Sequence, residues 1–75
     1  MYDTLRDMLV SDLQVDEADI TPEAELQNDL GINSLELADL VLACEEKFNI
    51  EIKDEDIHNF VTVNDVVNYL EKVAG

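Results

Sequence analysis

The residues best placed for chemistry lie together in Asp29-Leu30-Gly31-Ile32-Asn33-Ser34-Leu35-Glu36. Gly31 permits a sharp backbone turn. Asn33, with Glu36 three residues on, has the form of a capping box that opens a helix. Ser34 then falls at the first helical position, its hydroxyl outward and its own N–H outside the helical ladder. Unpaired N–H groups and the positive end of the helix dipole favour an attached anion at such a place, for example a phosphodiester. The same spacing is served at least as well by Ser34 acting as the cap itself, with no further role.

Other constellations do not assemble. Ser34, His58 and any of the ten aspartates lack the G-x-S-x-G turn of a hydrolase, and so short a chain has little room to shape a pocket around them. One His and one Cys cannot make a zinc site. Asp54, Asp56 and their acidic neighbours lack the glycine and the twelfth-position glutamate of a calcium loop. Cys44 has no partner for an internal disulfide, which fits a reducing compartment. Its apolar and acidic neighbours suit a buried thiol better than a reactive one. No catalytic or metal-ligating set is expected.

Three periodic segments must position Ser34. From Tyr2 to Leu13, Tyr2, Leu5, Met8, Leu9 and Leu13 recur at helical spacing. From Ser34 to Phe48, Leu37, Val41, Cys44 and Phe48 form one stripe, which Ala38 and Leu42 should widen. From Val63 onward, Val63, Val66, Val67, Leu70 and Val73 repeat the pattern, with Thr62 as N-cap and Asp65 at the third helical position. Asp54-Glu55-Asp56-Ile57 reads as one short helical turn, reached through an extended linker at Ile50 and Ile52. Residues 14–33 lack strong periodicity and read as a long functional loop, pinned by Val15, Ile20, Leu26, Leu30 and Ile32, with a turn at Thr21-Pro22-Glu23. The expected fold is all-α, a small antiparallel four-helix bundle over residues 1–75 with three main helices, one short helix and a long first connection.

The composition narrows the partners. The 75 residues carry a formal charge of −15, with 19 acids against four bases, so nucleic acid and anionic membranes should be repelled. Yet 47% of the chain is apolar, too much for a disordered acidic tail. Basic patches on other proteins are the expected partners. With no targeting segment or long apolar run, a monomeric cytoplasmic protein without membrane insertion is expected.

The segment Leu30-Gly31-Ile32-Asn33-Ser34-Leu35-Glu36-Leu37-Ala38-Asp39-Leu40, followed by Glu45-Glu46-Lys47-Phe48, resembles the acyl carrier proteins. The likeness continues through Ile52-Lys53-Asp54-Glu55 and through Thr62-Val63-Asn64-Asp65 to Tyr69-Leu70, nearly the whole chain. In that family an Asp-Ser-Leu motif opens the second helix, and its serine carries a 4′-phosphopantetheine arm that holds acyl groups as thioesters. The resemblance implies Ser34 as the attachment site, the arm coming from coenzyme A through a phosphopantetheinyl transferase. It implies a docking face for acyl-transfer and synthase enzymes built from Asp29, Asn33, Leu35, Glu36, Asp39, Glu45 and Glu46. It also implies an acyl cavity lined by Ala38, Val41, Leu42, Cys44, Phe48, Ile52, Ile57, Phe60 and Val66. The chain departs from the family at Asn33, where the usual residue is Asp; the cap survives but a charge beside the serine is lost.

The expected function is therefore acyl carriage, without catalysis, in fatty acid biosynthesis, to which the acidity and the self-contained chain point. The alternatives are a carrier for a specialised polyketide, peptide or aminoacyl pathway, and an unmodified acidic helical adaptor in which Ser34 is only a cap.

Overall fold

In the computed structural model, which describes residues 1–74, helix α1 spans Tyr2–Leu13 and α2 spans Ser34–Phe48. One turn, α3, covers Asp54–Ile57, and α4 covers Val63–Ala74. No strand occurs among the described residues; a single antiparallel bridge joins Glu25 to Thr62. The architecture is the expected small all-α bundle, with α1 packed on both α2 and α4.

Each helix buries the side its spacing dictates. Leu5, Met8 and Leu9 of α1 meet Leu37, Leu40, Val41 and Cys44 of α2 and Val63, Val66, Val67 and Leu70 of α4 in one apolar cluster. Tyr2 and Leu13 are half-buried at its edge. Both α1 and α2 stop at a residue in the left-handed region, Gln14 (φ 58°) and Asn49 (φ 55°), which turns the chain out of the helix.

Two expected core positions in α2 lie outside. Ala38 is exposed and Leu42 keeps 58% of its surface in water, while Leu37 and Leu40 flank Val41 and Cys44 instead. At about 100° per residue, Ala38 and Leu42 each stand a full step past Leu37 and Val41, beyond the reach of α1. Val73 is exposed as well, because none of the described residues covers α4 after Leu70: residues 71–74 are all on the surface.

The first connection is more structured than its lack of periodicity suggests. Asp16 accepts the Ala18 N–H and starts a 3₁₀ turn at Glu17–Asp19, and Arg6 of α1 lies 4.0 Å from Glu17. Turn follows turn from there, with Ile20, Leu26 and Ile32 buried and Val15 and Leu30 half-buried against the core. Ala24 is a further buried contact that its small size conceals in the sequence. Gly31 has φ +68°, so its backbone is one that side-chain-bearing residues adopt with strain. It delivers the chain to the start of α2.

Candidate functional site

The start of α2 is a complete capping box. Asn33 Oδ1 accepts the Glu36 N–H at 2.8 Å, and Glu36 Oε1 accepts the Asn33 N–H at 3.2 Å. The Leu37 N–H bonds the Asn33 carbonyl at 2.9 Å, which begins the helical ladder. Cap duty thus falls on Asn33, and Ser34 is released from it. Its hydroxyl is exposed and makes no hydrogen bond among the described residues, nor do the N–H groups of Ser34 and Leu35. Of the two roles open to Ser34 in the sequence, the cap is excluded by this geometry.

One face of α2 runs outward from that point. Leu35 keeps 79% of its surface exposed, and Ala38, Asp39, Leu42 and Glu46 share its side of the helix. Apolar and acidic side chains therefore interleave along one solvent-facing strip. The remaining residues of the expected docking face are engaged locally. Asp29 Oδ2 accepts the Glu25 N–H at 2.7 Å, Glu36 closes the capping box, and Glu45 Oε2 accepts the Ile52 N–H at 2.8 Å. Asn33 and Glu36 flank Ser34 at the helix start, Asp29 is tied back to Glu25 in the first connection, and Glu45 is turned toward the linker to α3.

On the opposite side of α2, Val41, Cys44, Ile52, Phe60 and Val66 are buried together, with Phe48 and Ile57 half-buried against them. Ala38 and Leu42 do not join this set. Burial, helped by the nearby charges of Asp12 and Glu45, pushes the Cys44 thiol from 9.0 up to about 11. Phe60 meets the Tyr69 ring edge-on, with centroids 5.3 Å apart and planes at 69°. The Tyr69 hydroxyl donates to Asp56 Oδ2 at 3.0 Å. Burial, that bond and the charges of Asp56 and Glu45 hold the phenol above its usual range. Neither the Tyr69–Asp56 bond nor the Glu45–Ile52 bond is visible in the periodicity, since each joins residues from different elements.

An exposed, unbonded serine at a capped helix start fits a phosphate ester. Comparison with known proteins identifies the family. The family profile described as "Phosphopantetheine attachment site" matches residues 3–70. The chain belongs to the phosphopantetheine-binding acyl carrier family. It is 46% identical to the acyl carrier protein of Helicobacter pylori (strain J99 / ATCC 700824) over 71 residues, 95% of this chain and 91% of that protein. It is 41% identical to the acyl carrier protein of Campylobacter curvus (strain 525.92) over 74 residues, 99% of this chain and 96% of that one. As a carrier of this family it is not an enzyme, and its prosthetic group is covalent 4′-phosphopantetheine. The group itself supplies the thiol that forms thioesters; the chain supplies tether and surface. Synthases and transferases are the general class of its partners. No helix among the described residues is long and apolar enough to cross a membrane.

Proposed function

We propose that Ser34 carries the 4′-phosphopantetheine arm and that the chain ferries acyl thioesters for fatty acid biosynthesis, as a monomer in the cytoplasm. The observation that supports the attachment point is the division of labour at the start of α2: Asn33 caps, leaving the Ser34 hydroxyl exposed and unbonded. A phosphodiester there lies beside the Ser34 and Leu35 N–H groups and at the positive end of a 15-residue helix.

The strip of Leu35, Ala38, Asp39, Leu42 and Glu46 serves as the docking face, with Asn33 and Glu36 beside the serine and Asp29 in the loop that leads to it. Its acids steer basic partner surfaces toward the arm, and its exposed leucines give those partners apolar anchors. The acyl chain shelters on the other side of α2, among Val41, Cys44, Phe48, Ile52, Ile57, Phe60 and Val66. Ala38 and Leu42, being outside, belong to docking and not to shelter.

Incubation with coenzyme A and a promiscuous phosphopantetheinyl transferase tests the attachment. Intact mass should rise by one phosphopantetheine, and Ser34→Ala should show no rise. An unchanged mass with several transferases would overturn Ser34 as the attachment point and favour an acidic adaptor in which Asn33, not Ser34, caps the helix. Mass spectrometry of the loaded protein from its source then separates straight acyl chains from polyketide, peptidyl or aminoacyl cargo.

A further inference from the structure

Residues 49–60 cross from α2 to α4 as a strap with little structure of its own. Its only regular element is α3, four residues long, with no side-chain cap at Lys53 and no fully buried residue. Most of its hydrogen bonds are internal: the Asp56 and Ile57 N–H groups reach the Lys53 carbonyl, Asn59 that of Asp56, and Phe60 that of Ile57. Among the described residues, only two hydrogen bonds tie residues 51–60 to other elements, from the Ile52 N–H to Glu45 Oε2 and from the Tyr69 hydroxyl to Asp56 Oδ2. Each depends on one carboxylate. The same strap supplies Ile52, Ile57 and Phe60 to the apolar side of α2 and α4, so it forms a wall of the interior.

We propose that Glu45 and Tyr69 are positioning residues, two hooks that hold this strap shut, and that releasing the hooks opens the apolar interior beneath it. This removes Glu45 from the docking face: its carboxylate works inward, on the Ile52 N–H, as an acceptor whose charge is secondary. The raised affinity of the Tyr69 phenol for its proton keeps the second hook in its donor state. What passes the opened wall rests on the carrier reading above; the hooks do not.

Glu45→Gln and Glu45→Ala separate hook from docking charge. Both remove the charge, but only Gln retains an oxygen that can accept the Ile52 N–H. Hydrogen exchange on the unmodified chain should show amides in residues 52–60 opening roughly tenfold faster in Glu45→Ala, the size expected when a hydrogen bond is lost and its N–H left unpaired. Glu45→Gln should stay near wild type, and the buried amides of α1, α2 and α4 should not change. Tyr69→Phe, which keeps the ring against Phe60, should speed the same amides. Equal behaviour of the Gln and Ala variants, or acceleration spread evenly over all helices, overturns the proposal. Because no arm is needed, this measurement stands even if Ser34 proves unmodified. On chain loaded with an octanoyl-phosphopantetheine, hydroxylamine should cleave the thioester faster in Glu45→Ala than in Glu45→Gln. Equal cleavage would overturn the opening of the interior.

Discussion

At the start of α2, Asn33 takes the Glu36 N–H and Glu36 takes the Asn33 N–H; at the start of α4, Thr62 Oγ1 takes the Asp65 N–H and Asp65 takes the Thr62 N–H. The local chemistry is nearly the same. The surroundings are not. At α4 the next two N–H groups, of Val63 and Asn64, are consumed by the carbonyls of Ala24 and Pro22, and Val63 is fully buried. At α2 the corresponding groups, of Ser34 and Leu35, have no partner among the described residues, and both side chains face water. A capping box therefore starts a helix but does not by itself make a site. The folded first connection covers one helix start and leaves the other open.

This contrast can be tested by exchanging the residues that differ. Val63→Ser in a Ser34→Ala background gives α4 the sequence of a capped serine start. It should cost roughly 2 to 3 kcal/mol, through a lost buried side chain and a buried hydroxyl, and still accept no arm from the transferase. Thermal unfolding and intact mass read the two halves, and modification at residue 63 would break the comparison. Removing the acid of each box comes next. Asp65 Oδ2 also accepts the Val61 N–H, so Asp65→Ala should cost about 2 kcal/mol and Glu36→Ala about 1 kcal/mol in denaturant unfolding. Equal losses would mean that the α4 start is no more firmly held than the open one.

Smaller effects sharpen the α2 side alone. Asn33→Asp restores a charge beside Ser34 while keeping the cap, so stability should shift by only a few tenths of a kcal/mol. Transferase kcat/KM should rise roughly two- to fivefold, the worth of one exposed charge pair. Identical kinetics for the two forms would show that the neutral residue is no handicap. Smallest of all, moderate salt should raise the melting temperature by a few degrees, because a chain of net charge −15 repels itself. A fall with salt would contradict that self-repulsion.

Much of this is legible before any coordinates. The bounds of α1 and α2, the single turn at Asp54–Ile57 and the start of α4 at Val63 follow from apolar spacing and capping residues. The two faces of α2 are harder to read, because Leu, Ala and Val occur on both. A stripe drawn through Leu37, Val41, Cys44 and Phe48 is right, but Ala38 and Leu42 fall on its wrong side by one helical step. The choice between Asn33 and Ser34 as cap is also closed to the sequence, since either residue caps well. It takes the 2.8 Å bond from the Glu36 N–H to Asn33 to decide it. Glu45 shows the same limit: its carboxylate reads as surface charge until the bond to the Ile52 N–H is seen.

Cys44 gives the molecule a practical property. Burial pushes its thiol up to about 11, so Cys44 stays protonated inside the core at neutral pH. Maleimide or iodoacetamide at that pH should mark the prosthetic sulfur and spare the polypeptide. Native chain can then be dye-labelled or cross-linked at a single point, with no cysteine removed beforehand.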